Sequence, residues 1–221
     1  MGVIRNPLHI EVVPGILEKE WGAIEQKLQT VVPFVESVHI DVIDGKFAPN
    51  TTWMDPAPFA KYTKQAKFEV HLMVEDPLQY VRSFADAGFV RFLGQVEKMP
   101  DVSAFLAEAQ LWGEAGLAFD GPTPLSAVQV NWNDVDVALF YTGEKIGFSN
   151  GTMVADRLEK VKQLRALDND IAIEIDGGVN DTNVMQAKAV GVTRFVSTGF
   201  LFKGKNIEEQ YQILENLLHQ R

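Results

Sequence analysis

The sequence predicts an α/β fold, a single (β/α)8 barrel of parallel strands over residues 1–221. Three observations carry that expectation. Short apolar runs alternate with amphipathic helical windows along the chain, and strict β-then-α order implies a parallel sheet. No low-complexity stretch or linker interrupts the alternation, so one domain is expected. Eight strand-like runs within 221 residues fit a closed barrel better than an open doubly wound sheet, which stays the alternative. With 46% hydrophobic and 23% charged residues, the chain can fill a large core.

In chain order, "LHIEVV" at residues 8–13 reads as the first strand and residues 18–31 as the helix after it, with apolar positions returning every three or four residues. "SVHIDVI" at 37–43 alternates with a period of two and forms the second strand. "KFEVHLMV" at 67–74 is the third, followed by a helix over 77–87. The fourth strand, 90–96, leads into a helix over 102–112, and the fifth and sixth strands occupy 114–119 and 135–141. A helix over 155–167 precedes the seventh strand, "IAIEID" at 171–176, and another over 183–190 precedes the eighth at 193–198. A short helix follows the eighth strand, and the chain closes on a helix over 207–219, with His219 in its last turn where a cation is favoured.

A barrel places its functional side chains at the C-terminal ends of strands and in the loops after them, which tests each polar residue found in an apolar run. In "VHIDVIDGKFAPN", His39 and Asp41 share one strand face while Val38, Ile40 and Val42 fill the other. Taken alone they are a buried histidine paired with an acid, or part of a metal or proton-transfer site. His71 shares its face with Glu69 and Met73, and alone reads as a satisfied core histidine. Asp176, followed by Gly177 and Gly178, alone reads as a turn or capping acid. Together, two histidines and two aspartates at the same end of three strands form a nitrogen and oxygen set that suits Zn²⁺, Fe²⁺ or Mn²⁺. The chain has no cysteine, so thiolate ligands and nucleophiles are excluded.

A second group gathers on the other side of the expected barrel mouth. Gly177 and Gly178 follow strand seven, and Ser197, Thr198 and Gly199 stand where strand eight yields to the short helix. Gly143, Gly147 and Gly151 of "TGEKIGFSNGT" fall in the same region. Each is an ordinary turn by itself; their shared placement favours an anion, and so a phosphorylated substrate. The balance of 20 basic against 30 acidic residues, a net charge of −10, disfavours nucleic acid and anionic membranes as partners. No apolar stretch is long enough for a signal peptide or a membrane span, so a cytoplasmic location is expected. Met1-Gly2 begins like a myristoylation site, but Asn6 stands where that motif prefers a hydroxyl.

"VHIDVIDGKFAPN", "FEVHLMVEDP", "GLAFDGPTP", "IEIDGGVND" and "RFVSTGFLF" resemble, in order and spacing, the motifs of the ribulose-phosphate 3-epimerase family, over nearly the whole chain. The resemblance implies that His39, Asp41, His71 and Asp176 bind one divalent metal ion and that Asp41 and Asp176 are the two acid/base groups. It implies phosphate contacts at Gly178, Thr198 and Gly199, with Gly147 and Phe148 matching beside them, and Met73 as one of the methionines lining the site. The implied enzyme is an isomerase of the pentose phosphate pathway in carbohydrate metabolism, and a homo-oligomer. It would convert D-ribulose 5-phosphate to D-xylulose 5-phosphate through an enediolate. Inverting C3 needs a proton removed from one face and returned to the other, a task for two carboxylates rather than one.

Some positions depart from that pattern. Gly15 and Glu18 replace two serines of strand one, Gln95 followed by Glu97 ends strand four in place of HxE, and Asp120 replaces an asparagine. The loop over residues 142–152 keeps Gly147 and Phe148 but is longer than the family's NPGFGGQ and adds Glu144 and Lys145. These departures bear on phosphate affinity, lid closure and substrate identity. They keep two alternatives open: an epimerase of another ketose phosphate such as D-allulose 6-phosphate, and a non-catalytic phosphosugar-binding barrel. Related barrel decarboxylases and aldol-type synthases are expected to carry DxKxxD, which fails here because Pro49 follows Asp44-Gly45-Lys46 in the final position.

Overall fold

Eight parallel strands close into a barrel in the order β1-β2-β3-β4-β5-β6-β7-β8 in the computed structural model, which describes residues 9–149 and 151–220. The strands are β1 Glu11–Ile16, β2 Ser37–Ile43, β3 Lys67–Met73, β4 Arg91–Gln95, β5 Glu114–Phe119, β6 Val137–Tyr141, β7 Ala172–Asp176 and β8 Arg194–Ser197. Around them lie α1 Trp21–Val31, α2 Leu78–Asp86, α3 Val102–Gln110, α4 Glu159–Leu167, α5 Val184–Ala189, α6 Gly199–Lys203 and α7 Ile207–His219. Met1-Gly2, Asn6 and Leu8 lie outside the described residues. No helix among the described residues is long and apolar enough to cross a membrane.

Two expectations need correction. The first strand does not stop at Val13 but runs on through Pro14 and Gly15. Glu11 to Pro14 pair with β8, whereas Gly15 and Ile16 pair with β2, so the proline, which has no N–H to give, sits where the ladder changes sides. Strict alternation also fails, because only short 3-10 turns follow β2 and β5. Pro56 and Pro58 in one connection, and Pro122 and Pro124 in the other, remove the donors a regular helix would need. Phe59 takes over the packing of the helix missing after β2, meeting Trp21 edge-on at 5.0 Å and Phe89 at 5.4 Å.

The period of two divides each strand between two environments. Val38, Ile40, Val42, Val70, Leu72, Ile173 and Ile175 belong to the large core beneath the helices. Inside the barrel, one side is apolar, built by Leu93, Ala118, Val137 and Leu139. The other side, from β7 through β8 and β1 to β3, carries buried charge: Glu11, His39, Asp41, Glu69, His71, Glu174, Asp176 and Arg194.

Candidate active site

β2 and β3 run in register, which sets Asp41 beside His71 and His39 beside Glu69. His39 Nδ1 lies 2.7 Å from Glu69 Oε1, and His71 Nε2 lies 2.8 Å from Gln95 Oε1. Carboxylate and amide oxygens only accept, so each ring donates at that nitrogen. In the neutral rings this leaves His39 Nε2 and His71 Nδ1 with lone pairs, 3.3 and 3.1 Å from the same atom, Asp41 Oδ1. Three electron-rich atoms at such a separation need a proton or a cation between them. Asp176 joins from the end of β7, and one ligand atom from each of His39, Asp41, His71 and Asp176 lies within 4.8 Å of all the others. The four residues singled out in the sequence meet, and as a set they can hold a metal ion.

The electrostatics of the cluster agree with that reading. Burial pushes the Asp176 carboxyl up and the Asp41 charge adds to it, so that it rises from 3.8 to about 7 despite the two imidazoles. Burial acts on Asp41 in the same sense, but its contacts with His39 and His71 prevail and lower it to about 2. Burial disfavours a charged His39, yet Asp41, Glu174 and Glu69 together raise it well above the ordinary imidazole range. Without an ion, the site makes up its missing positive charge with protons.

Below the cluster lies a second buried layer that sequence reasoning did not assemble. Arg194 Nε donates to Glu174 Oε2 at 2.7 Å and its Nη2 to Glu69 Oε2 at 2.6 Å, and Nη1 pairs with Glu11. Arg91 Nη1 donates to Glu69 Oε2 as well, at 2.6 Å. Burial alone would raise the Glu69 carboxyl; Arg194, the His39 bond and Arg91 overturn this and hold it well below its usual range. The acceptor that fixes the His39 ring is therefore itself fixed as a carboxylate. Its signal in the sequence was phase: Glu69 stands two residues before His71, and Glu174 two before Asp176.

A cavity of about 390 Å³ opens above the cluster, with Asp41 and Asp176 among its lining, within the range usual for ligand sites. His39 and His71 are fully buried beneath it. Met73, Gly177, Gly178, Thr198 and Gly199 line it as the sequence predicts, and so do Gly147 and Phe148 from the loop after β6. Gly177 and Gly178 have φ of 103° and 80°, and a side chain on Gly178 would meet the Met153 backbone, so the turn requires glycine at both.

Two departures from the expected pattern acquire a structural account. A side chain at Gly15 would collide with Thr198 Oγ1 and stand 2.8 Å from Val196 Cγ1, so the hydroxyl of Thr198, the residue after β8, takes the space a serine on β1 would fill. The longer loop is tethered on two sides. Tyr141, in register with Asp176, donates its hydroxyl to Lys145 O at 2.7 Å with Phe148 O at 3.2 Å, and Asn50 Nδ2 donates to Gly147 O at 2.8 Å. Tyr141 also lines the cavity and was missed in the sequence, although it ends the sixth strand in phase with Leu139. Asp120 and Glu97 do not line the cavity; the Asp120 N–H donates to Glu97 Oε1 at 2.8 Å.

A further trio, His9, Glu11 and Glu36, gathers at the opposite end of the barrel. Glu11 there already pairs with Arg194, and Glu36 with Lys67 at 2.7 Å.

Comparison with known proteins agrees with this geometry. The family model described as "Ribulose-phosphate 3 epimerase family" matches residues 11–202. The ribulose-phosphate 3-epimerase of Rhodobacter capsulatus is 31% identical over 204 residues, covering 90% of this chain and 88% of the relative. That of Escherichia coli is 29% identical over 221 residues, covering 95% and 98%. Among solved structures, 3-keto-L-gulonate-6-phosphate decarboxylase from Vibrio cholerae superposes with a TM-score of 0.72 at 12% identity, over 95% of this chain and 97% of that one. The 3-hexulose-6-phosphate synthase from Salmonella typhimurium gives 0.70 at 13%, over 95% and 98%. At such identity the two structures share the fold alone.

Proposed function

The chain belongs to the ribulose-phosphate 3-epimerase family, and we propose that it interconverts D-ribulose 5-phosphate and D-xylulose 5-phosphate by passing a C3 proton between Asp41 and Asp176. The observation that carries the reading is the pair of carboxyl groups lining one cavity from β2 and β7, with their proton affinities driven in opposite directions. Such a separation is what an acid and a base acting together require.

The C3 proton beside the ketone is removed on one face by the ionised carboxylate, giving an enediolate that the protonated partner quenches from the other face. Asp41 and Asp176 exchange roles when the reaction runs backwards. Burial of both groups keeps bulk water from taking over either transfer. His39 Nε2, His71 Nδ1, Asp41 and Asp176 would hold one divalent ion, Zn²⁺, Fe²⁺ or Mn²⁺, since imidazole and carboxylate accept all three. Bound there, the ion supplies Lewis-acid stabilisation of the charge that develops on the substrate oxygens. Glu69 and Gln95 keep the two imidazoles turned for that task. Gly177, Gly178, Thr198 and Gly199, with Gly147 and Phe148 opposite, receive the phosphate end, while Met73 contributes an apolar wall. A cytoplasmic location and a homo-oligomeric state belong to the same proposal; exposed Val90, Leu111 and Trp112 support the second, and sedimentation tests it.

NMR of D-ribulose 5-phosphate in D2O with metal-loaded protein tests the reading, beside a chelator-treated sample and Asp41→Asn. Deuterium entering C3 as xylulose 5-phosphate forms, and lost in both controls, is the expected result. Exchange seen only with D-allulose 6-phosphate would move the assignment to a hexulose phosphate. Silence with both substrates would leave a phosphosugar-binding barrel.

A further inference from the structure

The cavity presents an electrostatic problem to a phosphorylated substrate. Its lining includes the carboxyl groups of Asp41 and Asp176, which the ion they would hold does no more than balance, and the chain carries a net charge of −10, so the phosphate needs a cation of its own. Glycine N–H groups orient a phosphate but bring no full charge against that background. Among the described residues lining the cavity there is a single cationic side chain, Lys203, the last residue of α6.

We propose that Lys203 is the cation that receives the substrate's phosphate, a role that rests on the epimerase reading of this site. Lys203 stands four residues after Gly199, on the same face of α6, and both line the cavity. Side chains on a helix lean back towards its N-terminus, so the Lys203 stem runs over the position of Gly199. Gly199 has no side chain to obstruct it. The ammonium makes no hydrogen bond or ion pair among the described residues, so nothing must be broken for it to meet a phosphate. Lys145, from the loop after β6, is engaged elsewhere: its Nζ stands 4.5 Å above the Phe148 ring, and it does not line the cavity. Lys203 is exposed, so its substitution leaves the barrel core untouched.

The test is calorimetric titration of the metal-loaded protein with a pentitol 5-phosphate, which keeps the phosphate and lacks the ketone that reacts. Lys203→Met is expected to weaken binding by about tenfold, and Lys203→Arg to restore it to within about threefold of the parent, since a guanidinium also pairs with phosphate. In turnover, Lys203→Met raises KM for ribulose 5-phosphate with kcat nearly unchanged, and the loss shrinks as salt is added. Equal affinity of parent and Lys203→Met for the pentitol phosphate overturns the assignment, whatever the turnover. Absence of turnover in the parent, with the affinity difference intact, overturns the epimerase reading and leaves Lys203 as a phosphate ligand.

Discussion

In the lower half of the barrel interior, Glu11, Glu69 and Glu174 all meet Arg194, and Glu69 also meets Arg91. In the upper half, Asp41 and Asp176 meet no lysine or arginine among the described residues, only His39 and His71. Both layers bury carboxylates within one barrel, yet they solve the problem of buried charge in opposite ways. The lower layer pairs its three carboxylates with two guanidinium groups, which stay charged over the whole working pH range. The upper layer is left short of positive charge and has to acquire a proton or an ion. Burial and the Asp41 charge together raise the Asp176 carboxyl, and with no lysine or arginine to offset them the cluster is a site rather than a scaffold.

The comparison breaks most visibly if the upper acids prove to be structural. Asp41→Asn and Asp176→Asn are each expected to slow C3 exchange by about a thousandfold, read by NMR, because each removes one of the two proton-transfer groups. The metal-free form of Asp176→Asn should melt no lower than the parent at neutral pH, since a buried carboxyl repelled by Asp41 has gone. Arg194→Met makes the opposite case. With Glu11, Glu69 and Glu174 deprived of their common partner, urea unfolding should show a loss of about 3–5 kcal/mol. An unchanged midpoint would mean that the lower layer is not held by its charges.

The two layers communicate through the His39 to Glu69 bond, and Glu69→Gln probes that link. A competition titration with a chromophoric chelator should find metal affinity reduced by about 10–100-fold, because the ring is no longer held by a carboxylate. The pH dependence of stability sharpens the contrast further. The Asp176 carboxyl is raised in the folded state, so between 3.8 and about 7 the native protein holds a proton that the unfolded chain has released. This contribution is fully present below that window and is lost as pH rises through it. His39, also raised, adds to the decline at higher pH. Metal-free protein should therefore lose stability from pH about 4 to about 7 in thermal melts, and saturation with a divalent ion should flatten the slope.

The smallest expected effect concerns the rim. Gly15→Ser should destabilise by about 1–3 kcal/mol through overpacking against Thr198. Gly15→Ser combined with Thr198→Gly should recover much of that loss in a double-mutant cycle. Additive losses would show that the two positions do not share one space.

The upper layer was legible in the sequence because its evidence is local. His39 and Asp41 lie two residues apart in a strand of clear alternation, and β2 was located at its observed bounds, residues 37–43. β1 was misplaced because Pro14 and Gly15 look like a strand's end, and only pairing first with β8 and then with β2 makes them part of one. The missing helices after β2 and β5 show a similar limit: alternation was read as a rule where four prolines had already set it aside.

The amino-acid sequence by itself determined the strand phases, the inward side chains of β2, β3 and β7, and the glycines that follow β7 and β8, since all of these depend on residues within a few positions of one another. Barrel closure alone decided which charges would meet. Arg194 reaches Glu69 across 125 positions of sequence and Glu11 across 183, and no local pattern records either partnership. The same closure placed Thr198 in the space left by Gly15 and brought Lys203 to the cavity that holds the two aspartates. Pairings of this kind depend on the distance between strand ends after the sheet has joined itself, a quantity fixed by strand number and stagger rather than by any stretch of chain.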